Sequence, residues 1–330
     1  MSTNREAYLC LSAMLRAREV KLLSYDRAER MLDAASFDEC AKLLTDCGYA
    51  DMSAMSAKEI EAYLSSHRDE VFAELEKLAP DKSVVDAFKL KYDYHNAKAL
   101  IKAEAVGQDA ARLLSASGRV APDVLARIYA EERLSELPGA YAAAIEEAKG
   151  VLARTANPQL ADFILDRAYF AELCALAQAS ESEFLLGYAQ VLIDSANLKS
   201  AVRTLRMGKS AGFLQEALIP GGSVSCDRII SAGDGEAIAA LFNNSLLAEA
   251  AAFGAEAASG GSMTSFELAC DNAVNTYLKK AKLVSYGVEA LIAYLAAVEN
   301  EITAVRMILT GRLAGIAPDA IRERLRDMYA

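Results

Sequence analysis

The chain has 330 residues, a length that exceeds one compact core and points to two or three domain-sized units. Ala and Leu dominate, Trp is absent and only six prolines occur, a composition that favours helices and offers little to break them. The formal charge of −11 argues against nucleic acid as a partner, since phosphates demand clustered Lys and Arg, and against direct adhesion to anionic lipid.

The N-terminal stretch MSTNREAYLC places Arg5 and Glu6 ahead of any apolar block and carries no secretory h-region. Gly and Pro breaks follow near Ala79-Pro80, Ser117-Gly118, Pro138-Gly139, Asn157-Pro158, Pro220-Gly221-Gly222, Gly260-Gly261 and Ala317-Pro318. Between them the apolar residues keep helical spacing, which predicts roughly a dozen helices and no strand. Asp26, Asp123 and Asp227 are expected in the first turns of helices, with Ser24 and Ser225 as caps and Pro122 at a first helical position. Long helices are predicted to begin near Phe88, Gly187 and Val288. The densest apolar run, Val288 to Val298, contains Glu289 and ends at Glu299, short of the roughly 18 residues that a membrane span requires. A soluble protein on the cytosolic side is the expectation.

Internal repetition is a stronger signal than any single helix. Gly118-Arg119-Val120-Ala121-Pro122-Asp123 matches Gly222-Ser223-Val224-Ser225-Cys226-Asp227, and Leu165-Asp166-Arg167 matches Cys270-Asp271-Asn272. Asp194 to Lys199 aligns with Glu301 to Arg306 at nearly the same offset, and Asp93 to Lys98 shares its D-x-x-N-x-K spacing. Ser24-Tyr25-Asp26 stands where Ser225-Cys226-Asp227 stands in the last copy. Three diverged helical units are therefore expected, at 1–110, 111–215 and 216–330. Each has one long helix with an apolar stripe: Leu90, Tyr94, Ala97 and Ile101; Val191, Ser195, Leu198 and Val202; Val298, Ile302, Val305 and Leu309. Ser195 alone interrupts the pattern.

Motifs for chemistry are missing. Six scattered cysteines and two histidines, His67 and His95, give neither disulfide nor zinc spacing, so the thiols read as small hydrophobes. His67-Arg68-Asp69 has the letters of a kinase catalytic loop, but Glu74 stands where that loop needs Asn. Gly208-Lys209-Ser210 matches the end of a P-loop, but Arg203 stands where its first Gly belongs. The carboxylate pairs Glu131-Glu132 and Glu146-Glu147 fit charged helix faces. No catalytic residue, cofactor site or metal site is expected.

The run Leu90 to Ala103, LKYDYHNAKALIKA, resembles a signature of the C-subunit family of V/A-type ATPases (ATP synthases), related to the d subunit of eukaryotic V-ATPases. The run Glu299 to Tyr329, with Arg306, Gly311-Arg312, Gly315-Ile316 and Ile321-Arg322, is similar to the end of the same family, and Arg16 to Leu23 and SYDRAERML are compatible with its start. The resemblance covers essentially the whole chain. It implies an all-α fold of three helical-bundle repeats in pseudo-threefold arrangement around a central cavity, like a funnel. It also implies a non-catalytic rotor subunit, peripheral on the cytoplasmic face of a prokaryotic plasma membrane. Its partners would be the central-stalk shaft subunits and the membrane rotor ring, and its task the coupling of ATP synthesis or hydrolysis to H⁺ or Na⁺ transport. Stiff bundles suit that role, because packed interiors deform little.

Two readings of the repeated D-x-x-N-x-K pattern stay open. Asp93 and Asn96 share one side of a helix, and Asn is mildly unfavourable inside helices, so its return at Asn197 indicates a bonding task. The task is either a hydrogen bond that fixes one helix to its neighbours or a polar cavity wall that meets the shaft. Asp93, His95, Asn96, Lys98, Asn197, Lys199 and Arg306 are the candidate partner-interface residues, with His95 also read as a packing residue. Two rival functions are a helical-repeat scaffold for unrelated partners, which gene neighbourhood would separate, and a helical enzyme working with two carboxylates, for which no motif speaks.

Overall fold

The computed structural model describes residues 5–330. Residues 1–4, which open the N-terminal stretch expected to hold no secretory segment, lie outside the described residues. Among the described residues the protein is all-helical, with sixteen α-helices, four 3₁₀ turns and no strand. In chain order come α1 (Leu9–Glu19), α2 (Tyr25–Asp33), α3 (Phe37–Lys42), α4 (Ala57–Leu78), α5 (Ser83–Ala105), α6 (Pro122–Ala130), α7 (Gly139–Thr155) and α8 (Pro158–Ala179). They continue with α9 (Glu183–Arg206), α10 (Ala211–Ala217), α11 (Cys226–Ala232), α12 (Gly235–Leu241), α13 (Ala248–Ala258), α14 (Met263–Lys279), α15 (Val288–Leu313) and α16 (Pro318–Arg322). No helix among the described residues is long and apolar enough to cross a membrane.

Several helices start where a side chain supplies an acceptor for their free first N–H groups. Ser56 and Glu59 form a reciprocal capping box on α4, with the Ser56 N–H donating to Glu59 Oε2 at 2.8 Å. Such a cap contributes on the order of 1 kcal/mol. Ser24 caps α2 by accepting from Arg27 N at 3.3 Å. Ser225 differs from expectation: its side chain makes no cap bond on α11, and its carbonyl instead accepts from Arg228 N and Ile229 N. Pro122, Pro158 and Pro318 open α6, α8 and α16, where a missing N–H is no loss. α15 starts at Val288 as predicted, but α5 and α9 begin before Phe88 and Gly187. For α9 the cause is Ser182, whose hydroxyl accepts from Leu185 N and fixes the earlier start.

Contacts group the chain into two compact units. One is built from both ends of the chain, up to Lys82 and from Phe242 onward; the other runs from Ser83 to Leu241. In the terminal unit α15 is the central helix, packed against α1, α3 and α4. In its first half Val288 and every residue from Ala290 to Val298 are buried. In the middle unit α8 is the hub, packed against α5, α7 and α9.

The predicted stripes lie in these cores. Leu90, Tyr94, Ala97 and Ile101 are buried on α5, as are Val298, Ile302, Val305 and Leu309 on α15. Each large apolar side chain there contributes about 1.5–3 kcal/mol by leaving water. On α9 Leu198 and Val202 are buried, Val191 is half-buried, and Ser195 is buried despite its hydroxyl.

Candidate functional site

Asp93 and Asn96 stand one turn apart on α5 and are both fully buried. Each is used on the segment that returns from the end of α5 towards α6. Asn96 makes a two-point clasp on Ser115: its Nδ2 donates to the Ser115 carbonyl at 2.9 Å, and its Oδ1 accepts from the Ser115 N–H at 2.7 Å. Asp93 Oδ1 accepts from Arg119 N at 2.8 Å and Val120 N at 3.2 Å, and Oδ2 accepts from Arg119 Nε at 2.7 Å. Arg119 also reaches Glu172 of α8 at 2.8 Å, and Glu172 accepts from the Tyr94 hydroxyl at 3.0 Å. The half-buried backbone groups of this loop are thereby hydrogen-bonded.

The same device recurs on α9. Asn197 Nδ2 donates to the Ile219 carbonyl at 2.8 Å, and Asn197 Oδ1 accepts from the Ile219 N–H at 2.8 Å. Asp194 Oδ1 accepts from Ser223 N at 2.9 Å and Val224 N at 3.4 Å, while the Ser223 hydroxyl donates to Oδ2. Serine thus replaces Arg119 as the side-chain donor. A β-carbon on Gly118 would overlap Asp93 Oδ1, and one on Gly222 would overlap Asp194 Oδ1. Glycine is required in both loops because the carboxylate lies directly against the backbone.

A third, altered copy sits in the terminal unit. Glu301 of α15 is buried, its Oε2 accepts from the Leu23 N–H, and its Oε1 accepts from the Tyr49 hydroxyl at 2.6 Å. Leu23 precedes Asp26 by the same three positions that separate Val120 from Asp123 and Val224 from Asp227. Ala304 takes the place of the asparagine. The segment before Leu23 needs no such clasp, because it is a helix end whose N–H groups pair locally, Lys21 with Arg18 O and Leu22 with Glu19 O.

Burial raises the carboxyls of Asp93 and Asp194, opposed in the first by Arg119 and in the second by Ser223 and the loop N–H groups. Burial pushes Glu301 up to about 7, against the hydrogen bonds from Tyr49 and Leu23 and the charge of Arg27. Asp93 and Asp194 face loop backbone, and Glu301 faces the Leu23 N–H and the Tyr49 hydroxyl, so all three act as hydrogen-bond acceptors. Among the described residues no group of three or more His, Cys, Asp or Glu side chains could hold a metal ion.

The other candidate residues lie apart from these clasps. His95 is exposed on α5, with Nε2 3.0 Å from the Leu113 carbonyl. Lys98 donates to Asp166 of α8 at 2.6 Å, and Lys199 is half-buried on α9. Arg306 holds Glu61 of α4 through Nε and Nη2, at 2.5 and 3.0 Å. Gly118, Gly222, Tyr49 and Arg119 were not among the candidate residues. The aligned positions of the repeat did pair Gly118 with Gly222 and Asp194 with Glu301; nothing in the sequence singled out Tyr49. A separate concavity of about 940 Å³ opens in the middle unit between the ends of α5 and α7 and the start of α8, lined by Ile101, Val106, Leu152 and Pro158.

Known proteins are similar to this sequence along most of its length. Residues 11–324 match the family described as ATP synthase (C/AC39) subunit. The chain is similar to the C subunit of the V-type sodium ATPase of Enterococcus hirae, 26% identical over 97% of this chain and 98% of the relative. It is also similar to the C subunit of the A-type ATP synthase of Methanocaldococcus jannaschii, 25% identical over 96% of this chain and 86% of the relative. The corresponding A-type ATP synthase protein of Pyrococcus furiosus, again a C subunit, is 24% identical over 94% of this chain and 88% of that protein.

Proposed function

The chain belongs to the ATP synthase (C/AC39) subunit family, and on that premise we propose that it joins the central shaft to the membrane ring of a V/A-type rotary ATPase. As a family member it is a structural, non-catalytic subunit of such a complex. The observation that carries the finer reading is the family match across residues 11–324, nearly the full chain. The clasps support it, because torque transfer needs loops that do not slide on their helices.

In this reading the chain is three repeats, at 1–110, 111–215 and 216–330, each with one long helix. It is peripheral on the cytoplasmic face, and its partners are the shaft subunits and the rotor ring. Asp93, Asn96 and Asn197 act from inside by fixing the loops. His95, Lys98, Lys199 and Arg306, which are exposed or half-buried, are the residues offered to a partner.

The test is reconstitution of the whole ATPase with and without this chain. Complexes lacking it are expected to hydrolyse ATP while ATP-driven ion pumping is lost. Pumping that persists undiminished without the chain defeats the coupling role.

A further inference from the structure

We propose that the terminal unit carries a docking surface for an acidic protein partner, centred on Val20 and Leu283 and framed by Lys21, Lys279, Lys280 and Lys282. The proposal rests on the reading of this chain as one subunit of a rotary ATPase, and it deepens that reading by assigning a chemistry to one partner.

Val20 and Leu283 are 84% and 87% exposed, the two most exposed large apolar side chains among the described residues. Scattered exposed apolar residues need no explanation, but these two converge from distant parts of the sequence. Val20 caps the end of α1 and follows Arg16 by one helical turn on the same face. Arg16 Nη2 donates to the carbonyl of Ala281 at 2.5 Å and to that of Val284 at 3.0 Å, on the two sides of Leu283. The 3₁₀ turn Lys280–Leu283 is thereby pinned against the end of α1.

Lysines surround the apolar pair. Lys279 ends α14, Lys280 and Lys282 belong to the turn, and Lys21 follows Val20. Burial lowers the Lys282 ammonium, and the charges of Lys279 and Arg16 add to that against the pull of Glu19. Glu19 is itself tied to Arg16 at 2.8 Å. Lys282 donates to the Tyr329 carbonyl, and Lys280 lies over the Tyr277 ring. Among the described residues Lys21, Lys279 and Lys280 enter no ion pair. A chain of net charge −11 thus presents, at this place, unpaired positive charge around two bare aliphatic tips.

The occupant that matches is a protein surface whose carboxylates frame an apolar spot. An apolar centre with a charged rim is the usual anatomy of an interface, and the rim charges steer and orient the partner. An anionic bilayer matches less well. It would gain about 1 kcal/mol per lysine but repel the acidic remainder of the chain, and two short aliphatic tips would bury little area in it.

The test uses the whole complex. Complexes stripped of this chain are rebound with the full chain, and the concentration giving half-occupancy is measured. Lys21→Glu combined with Lys280→Glu should raise that concentration about tenfold or more. Lys58→Glu combined with Lys77→Glu, both exposed on α4, changes the net charge equally and should not. Leu283→Ser should also weaken rebinding, and circular dichroism checks that each variant is folded. In the assembled complex, Leu283→p-benzoylphenylalanine should cross-link under light to a segment of another subunit rich in Asp and Glu. Equal rebinding of the patch and α4 variants, or cross-linking only to segments without carboxylates, overturns the inference. Sedimentation of the isolated chain with vesicles of about one-quarter phosphatidylglycerol, lost in the patch variant, overturns it too and assigns the surface to lipid. The coupling role fails separately, if complexes with no copy of this chain bound pump ions unimpaired.

Discussion

Gly118 and Asp93 lie so close that no β-carbon fits between them, and Gly222 repeats the relationship with Asp194. The carboxylates cannot retreat freely, because each holds two backbone N–H groups of the same loop. Gly118→Ala must therefore displace either the clasp or the loop. A destabilisation of about 1–3 kcal/mol is expected, the range for overpacking a well-filled site. The decisive measurement is a double-mutant cycle by urea unfolding. In an Asp93→Ala background, where the obstructing oxygen is gone, Gly118→Ala should do much less harm. Strict additivity of the two substitutions removes the close approach as the reason for the glycine.

The core stripes give a simpler contrast. Ile101 and Leu309 are 2% and 0% exposed, so Ile101→Asp or Leu309→Asp places a carboxylate in a buried apolar position. Loss of several kcal/mol and failure of that unit to fold are expected. His95→Ala, on the exposed side of α5, should shift the unfolding midpoint little. Circular dichroism of the purified variants checks both, and a well-folded Leu309→Asp protein would contradict the stripe as core.

Periodicity made the long helices legible, since Leu90, Tyr94, Ala97 and Ile101 repeat at helical spacing and are all buried. The repeat offsets likewise paired Asp194 with Glu301 before their surroundings were known. The clasps themselves were not legible, because they depend on where a loop returns, and helical spacing carries no information about Ser115 or Ile219. Ser195 shows the converse: it reads as a flaw in the α9 stripe but is only 4% exposed beside Asp194. The role of Tyr49 was hidden for the same reason, since its partner Glu301 lies 252 residues away.

Stability should depend on pH through Glu301. Burial raises its carboxyl from the ordinary 4.5 to about 7. Between these values the unfolded chain has given up the proton while the folded chain keeps it. Stability is therefore full below about pH 4.5, falls as pH rises, and levels off above about 7, a change on the order of 3 kcal/mol. Asp93 and Asp194, also raised by burial, add a slope of the same sign. Melting temperatures of wild type and Glu301→Gln at pH 5 and pH 8 are the check. The wild type should lose several degrees more than the variant on going to pH 8; equal losses would remove Glu301 as the source.

Coupling separates the two readings of the D-x-x-N-x-K pattern. Asn96→Ala leaves the N–H and C=O of Ser115 without their partner, which should cost about 1–3 kcal/mol yet leave α5 folded on its apolar contacts. Lys98→Ala removes an ion pair whose side chains are 24% and 42% exposed, so its effect on stability should stay within about 1 kcal/mol. If the first change loosens the loop that α5 holds, and the second removes a charge offered to the shaft, both should lower the ratio of ATP-driven ion pumping to ATP hydrolysis in reconstituted complexes. Hydrolysis itself should continue, because this chain contributes nothing to it. Lys98→Ala is the sharper probe, since it alters the surface while leaving the Ser115 clasp intact. A pumping-to-hydrolysis ratio equal to wild type in Lys98→Ala, with the complex fully assembled, assigns Lys98 to its bond with Asp166 alone. The same result for Asn96→Ala would mean that the α5 loop can shift without loss of coupling, and the clasps would then serve folding rather than torque.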